Sequence, residues 1–289
     1  MRFVTFIDTI LRFGALRDTD IVPLEDVAPD LQSLIEMGEL GLERAAHAVA
    51  HADPSQVRPL DAVQLLAPLP RPRKNIVCLG MNYAEHALES LRAKGLPEKL
   101  PEHPVFFSKT VTTINHPEGD IPLNSGATQQ LDWEVELAFI IGVGGKNIAR
   151  QDALRHVWGY TIINDISARD LQNRHQQFFK GKSLDGSCPM GPWIVSADEI
   201  PDPTQLGLRL RVNGVTKQEG SVADLIFDIP TIIEVLSLGQ TLEPGDIIAT
   251  GTPSGVGMGR NPQEFLQSGD VVEAEIDRIG VLRNTVVAG

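Results

Sequence analysis

The chain has little cysteine. Only Cys78 and Cys188 occur in 289 residues, both in apolar or tight surroundings and with no C-x-x-C pair. A disulfide framework is therefore not expected, and a reducing cytoplasm is. Positive charge is also short: 25 Lys and Arg stand against 38 Asp and Glu, a net charge of -13. A nucleic-acid binder needs a cationic face, so that class is set aside. An anionic substrate stays compatible, because a bound cation and a few local Lys or Arg residues can reverse the local field. No run reaches the ~20 apolar residues of a membrane helix. Asp8 interrupts the first apolar stretch and no small-residue cleavage site follows, so no signal peptide is expected. There is no internal repeat and no low-complexity tract. A phosphate loop is excluded by the lack of G-K-[ST]. Gly142-Val-Gly-Gly145 follows a strand without opening a helix, so no dinucleotide site is supported.

What is present is ordinary for a globular protein: 42% apolar and 22% charged residues. A chain of this length buries on the order of 75% of its unfolded surface. Residues 1–27 read as short strands around a turn. Asp30 to Ala50 has helical spacing through Leu31, Leu34, Ile35, Leu40, Leu42, Ala45 and Val49. Ala67-Pro-Leu-Pro-Arg-Pro-Arg-Lys74 has linker composition, which divides the chain into a small N-terminal domain at 1–70 and a larger one at 71–289. Asn75 to Leu79 is a short buried strand. Asn82 and Glu85 form a capping-box pattern that predicts a helix from Tyr83 to about Lys94, ended by Gly95. Residues 96–104, bounded by prolines, form a surface loop. Trp133–Ile141 and Trp158–Asn164 are strands, Ser167 and Asp170 mark a second helix start, and a further helix lies near Pro230 to Leu238. Frequent Gly and Pro between short strands predict a mostly β, α+β fold with peripheral helices.

Within this frame three carboxylates stand out. Strand side chains alternate, so Glu134 and Glu136 share one face. Like charges that close need a cation, a proton or solvent between them. An E-x-E pattern on an edge strand is usually just a wet face, but Leu137-Ala-Phe-Ile-Ile141 marks this strand as central. Asp165 leaves the apolar strand Tyr160-Thr-Ile-Ile163, where it can be a ligand or a helix cap. Three carboxylates without His or Cys suit a hard cation, Mg²⁺ or Mn²⁺.

These segments resemble the fumarylacetoacetate hydrolase family. The matching motifs run in order: Gly80-Met-Asn-Tyr-Ala-Glu-His86-Ala-Leu-Glu89, Asp132-Trp-Glu134-Val-Glu136-Leu-Ala, Asn164-Asp165-Ile-Ser-Ala-Arg169-Asp-Leu-Gln172, Lys180-Gly-Lys182-Ser-Leu-Asp, and Thr250-Gly-Thr252-Pro-Ser-Gly255-Val-Gly257. The resemblance covers roughly residues 70–289. It implies a sandwich-like roll of mixed β-sheets around a metal, a homodimer or higher oligomer, and 2-oxo acids, 1,3-diketo acids or their enols as substrates. Residues 1–70 are similar to a small non-catalytic domain of many bacterial members.

The resemblance also implies roles. Glu134, Glu136 and Asp165 would hold the metal. His86 and Glu89, spaced i, i+3 on one helix face, would activate water. Lys182 would stabilise an enolate or leaving carbanion. Arg169 and Gln172 would meet the substrate's carboxylate or oxo groups, Thr252 would offer its hydroxyl and N–H to a carboxylate, and Lys109 would sit at the pocket rim. Apart from the resemblance, the helix-breaking composition just after the dyad suggests that the loop near residues 90–104 is a lid over it. The dyad favours a hydrolase cleaving a C–C bond in acylpyruvate-type 2,4-diketo acids. Alternatives are a decarboxylase of oxaloacetate or a related 2-oxo diacid, an isomerase or decarboxylase of 2-hydroxy-diene-dioates in aromatic degradation, and a catalytically silent metal- or ligand-binding protein.

Overall fold

Two sheets of unequal size are built from strands whose burial follows the apolar pattern of the sequence. The computed structural model describes residues 1–289. The chain opens with a meander of β1 (Arg2–Ile7), β2 (Leu11–Arg17) and β3 (Asp20–Pro23). The helical stretch after Asp30 is two helices, α1 (Leu31–Glu36) and α2 (Glu39–Ala50). Gly38, at φ 59°, takes the left-handed conformation that breaks the expected single helix. Asp30 caps α1 by accepting the Ser33 N–H at 2.7 Å.

There follow β4 (Ile76–Gly80), α3 (Ala84–Ala93), β5 (Val105–Lys109), β6 (Asp120–Leu123), β7 (Val135–Ile141) and β8 (Val157–Asn164). Then come α4 (Arg169–Arg174), α5 (Phe179–Lys182), β9 (Cys188–Ser196), β10 (Gly207–Val212) and β11 (Val215–Ser221). The last elements are α6 (Ile229–Ser237), β12 (Ile247–Ala249), β13 (Val271–Ile276) and β14 (Gly280–Ala288). The large sheet has 12 strands, and its main path runs β3-β2-β1-β9-β8-β7-β12-β4-β5 with a few two- or three-residue strands attached. A five-stranded sheet, β11-β10-β13-β14-β6, packs against it. Helices are few and short, so the fold is mostly β with peripheral helices.

β7 is buried along its whole length, which explains its unbroken apolar run. Its odd residues, Val135, Leu137, Phe139 and Ile141, face the second sheet together with Leu208, Leu210, Val272 and Leu282. Ala138 and Ile140 point the other way, into a core shared with Phe3, Leu31, Leu34 and Ile35. Residues 1–70 thus continue the large sheet through β1–β9 pairing, with Phe3 opposite Ile194, and share its core.

Two expected caps are used differently. Tyr83, not Asn82, stands at the start of α3. The Asn82 side chain instead donates to the carbonyls of Phe227 and Thr250 and accepts the Phe227 N–H, tying three distant segments together. Ser167 lies in a short bridge to Leu131–Asp132 and donates to the Asp165 carbonyl, while Ala168 precedes α4. In both places another partner outcompetes the capping bond, a distant one for Asn82 and the carbonyl two residues back for Ser167. No helix is long and apolar enough to cross a membrane.

Candidate active site

The site lies where β7 begins and β8 ends. Antiparallel register puts Val135 opposite Asn164. The Glu134 N–H donates to Asn164 Oδ1 at 3.1 Å and the Asp165 N–H to the Glu134 carbonyl at 2.8 Å, so the two acidic segments are stitched side by side. Ligand oxygens of Glu134, Glu136 and Asp165 consequently lie within 4.8 Å of one another, all three residues buried.

Buried anions at that spacing demand positive charge. Lys182 Nζ bridges Glu134 at 2.7 Å and Asp165 at 2.6 Å. Gly181 allows this reach, because a Cβ there would collide with the backbone of Gln172 and Ala168 and force α5 off α4. Arg169 Nε donates to Asp132 at 2.8 Å, its Nη2 pairs with Glu134 at 2.6 Å, and Nη1 donates to Gln172 Oε1 at 3.0 Å. Lys109 is 0% exposed and pairs with Asp165 at 2.8 Å, with the Ile166 carbonyl at 3.1 Å and Ser187 Oγ at 3.3 Å completing its shell. It lies beneath the cleft, not at the expected rim.

The charges are shared unequally. Burial alone would raise the Glu134 pKa, but Lys182 and Arg169 outweigh it and hold that carboxyl well below its usual range. Burial would likewise lower Lys182, yet Asp165 and Glu134 keep its ammonium above the ordinary lysine value. Glu136 has no such help. Burial, then Asp165 and Glu134, push it well above the usual carboxylate range. One of its oxygens accepts the Gly251 N–H at 2.9 Å, and Oε1 is buried without a partner. An unpartnered carboxylate oxygen between two other carboxylates fits an all-oxygen site for a hard divalent cation.

His86 and Glu89 lie on one face of α3, with His86 Nδ1 3.3 Å from Glu89 Oε2. Glu89 is itself fixed by the Gly255 N–H, at 3.1 and 3.2 Å from its two oxygens. Gly255 sits at φ 103° and approaches the Lys217 carbonyl too closely for any Cβ. His86 Nε2 is 3.5 Å from Ser90 Oγ. His86, Glu134 and Glu136 line one narrow cleft. Thr252 lines it too, but its hydroxyl donates to the Val135 carbonyl and accepts from Gln218 Nε2, both at 2.8 Å, and so holds β7 in place. Gln172 Nε2 makes no bond within the chain.

Asp132 has a role that sequence reading left unassigned. Besides Arg169 it accepts the N–H groups of Trp133, Gly257 and Met258. It therefore joins the metal-strand segment to the glycine turn. The alternating acidic positions 132, 134 and 136 are the signal that could have marked it.

The family profile described as fumarylacetoacetate (FAA) hydrolase C-terminal matches residues 75–287. Oxaloacetate tautomerase YisK of Bacillus subtilis is 52% identical over 227 residues, 78% of this chain and 74% of that protein. The mitochondrial oxaloacetate tautomerase fahd2 of Xenopus laevis is 42% identical over 93% of this chain and 83% of its own. Among solved structures, fumarylacetoacetate hydrolase from psychrophilic Exiguobacterium antarcticum superposes with a TM-score of 0.85 at 41% identity, covering both chains fully. Maleylpyruvate hydrolase from Sphingobium sp. SYK-6 does so with a TM-score of 0.81 at 30% identity, again over both full chains. With the profile matched over most of its length, the chain belongs to the fumarylacetoacetate hydrolase family.

Proposed function

We propose that this protein catalyses enol–keto interconversion of oxaloacetate or a closely related 2-oxo diacid, with Mg²⁺ or Mn²⁺ held by Glu134, Glu136 and Asp165. The observation that carries the reading is the convergence of three buried carboxylates, one with an orphaned oxygen, across a cleft from a carboxylate-oriented imidazole. The tautomerase names of relatives aligned over most of the chain support the choice of reaction.

A divalent cation at the triad would supply Lewis acidity toward the carbonyl of a 2-oxo acid. The remaining work belongs to the chain. Arg169 and Lys182 keep Glu134 ionised and ready as a ligand. Gln172 directs its free Nε2 at a substrate oxygen. His86, oriented through Nδ1 by Glu89, carries a proton at Nε2. Ketonisation removes the enol hydroxyl proton and adds one at C3. The formula is unchanged and no water is consumed, so His86 serves as a proton carrier and needs no attacking water. The homodimer implied by the resemblance belongs to the same reading. Exposed Val143, Leu154, Val235 and Leu238 support a covered face.

A second reading is hydrolysis of an acylpyruvate-type substrate, which the His86–Glu89 pair favours because the same imidazole can take a proton from water. Decay of the enol's ultraviolet absorbance separates the two. The wild-type protein with Mn²⁺ should accelerate ketonisation, EDTA should abolish it, and His86→Ala should lower it by about 10²–10⁴-fold. Release of pyruvate from acylpyruvates without any effect on enol-oxaloacetate would favour hydrolysis. Carbon dioxide release that survives His86→Ala would instead indicate a decarboxylase.

A further inference from the structure

We propose that Lys94 is a second carboxylate subsite, which makes the cleft prefer dicarboxylic over monocarboxylic ligands. The inference rests on reading the cleft as a 2-oxo acid site and names what receives the far end of the substrate.

The argument starts from spacing. His86, Ser90 and Lys94 recur every fourth residue and all line the cleft, so one face of α3 and its C-cap looks into it. At 1.5 Å per residue Lys94 is placed about 12 Å along the axis from His86, and its side chain leans back toward the helix start. Lys94 therefore stands at the mouth, outward of the dyad.

Charge pairing then singles it out. Arg169 is committed to Asp132 and Glu134, and Lys182 to Glu134 and Asp165. Lys94 makes no ion pair and no side-chain hydrogen bond. The acidic groups of the adjoining loop are taken by others, Glu98 by Arg92 and Glu102 by Lys99. The Lys94 ammonium lies 5.6 Å from the Phe178 ring, Phe178 meets Phe107 edge-on at 5.6 Å, and Lys182 Nζ is 5.0 Å from Phe107. Two aromatic rings thus form an apolar wall between the inner and outer ammonium groups. Lys94 is exposed as a residue, yet partial burial of its ammonium against the cleft wall, and then Arg169, hold its pKa below the ordinary lysine value. An unpartnered cation held near like charges is relieved by an incoming anion. A dicarboxylate brings one anionic group for the floor of the cleft and a second for its mouth.

Calorimetry on the full chain loaded with Mn²⁺ tests this with malate and lactate. Both carry the same chelating 2-hydroxy carboxylate, and only malate has a distal carboxylate. Wild-type protein should bind malate about 10- to 100-fold more tightly than lactate, the range of a charge-assisted hydrogen bond. Lys94→Met should collapse that ratio to near one, and Lys94→Arg should keep most of it. Equal affinities in the wild type, no binding of malate, or an unchanged ratio in Lys94→Met would each overturn the proposal. Failure to ketonise oxaloacetate would count against the tautomerase reading alone, because the binding ratio needs no turnover.

Discussion

An ammonium with no exposed surface is tolerable only beside a carboxylate, and Lys109 has Asp165 at 2.8 Å. Lys109→Met should leave that carboxylate short of a partner and cost about 3–5 kcal/mol. A lower urea midpoint with an unchanged slope would report it, and a wild-type midpoint would contradict it. Glu136 is the opposite case, an anion that lacks a cation. Its folded pKa is raised, so its contribution to the metal-free protein is fully present below the unfolded carboxylate value of 4.5 and is lost as pH rises through the folded value. Glu136→Gln should therefore be more stable than metal-free wild type by about 1–3 kcal/mol at neutral pH. The gap should open above pH 4.5. The same variant should lose the rise in melting temperature that Mn²⁺ gives the wild type. At this scale the sequence placed Glu134 and Glu136 on one side and His86 and Glu89 on one helix face, because both follow from backbone periodicity. It could not say which cation serves which anion. Lys109 lies 56 residues from Asp165 and was placed at the rim, since nothing local marks a buried lysine.

Elements meet through a few polar contacts that local patterns do not announce. His116, just before β6, accepts the Ala67 N–H at Nδ1 and so joins the proline-bearing segment to the second sheet. Burial holds its pKa below the ordinary 6.5. A depressed histidine favours the neutral form when folded, so its contribution is intact above pH 6.5 and is lost as pH falls through the folded value. His116→Asn should flatten that acid-side decline in a series of melting temperatures. A variant that declines as steeply as wild type would show that another group is responsible. The strands β7 and β8 were legible because both of their faces are buried and their sequences are accordingly apolar. The start of α3 differs from the expected one because Asn82 satisfies partners far along the chain, and that of α4 because the Ser167 hydroxyl turns back to the Asp165 carbonyl.

In the whole molecule the site is a cluster of Asp132, Glu134, Glu136 and Asp165 facing Lys109, Arg169 and Lys182, with one negative charge in excess if all ionise. Metal and anionic ligand should stabilise it together, and the segment beyond α3 is where closure would be visible. Residues 92–100 are exposed, held by the Arg92–Glu98 and Lys99–Glu102 pairs. Surface pairs of this kind contribute little. Oxalate with Mg²⁺ should slow tryptic cleavage after Arg92, Lys94 and Lys99 by about tenfold or more if the segment orders over the cleft. Equal cleavage with and without them would exclude a lid. The expected boundary near residue 70 falls on a chain segment of the right composition, yet β1 enters the large sheet beside β9 and its side chains share that sheet's core.

The sequence by itself determined what periodicity and composition control: a mostly β chain, two doubly buried strands, a pair of carboxylates on one face and an imidazole–carboxylate pair on one helix. Tertiary structure alone decided how those pieces neutralise one another. It tied Arg169 to Asp132 and Glu134, placed Lys182 between two carboxylates, left Glu136 with a bare oxygen and left Lys94 without a counterion. The physical reason is that in a low-dielectric interior a charge is set by neighbours a few ångströms away in space, and here those neighbours come from strands and helices tens of residues apart.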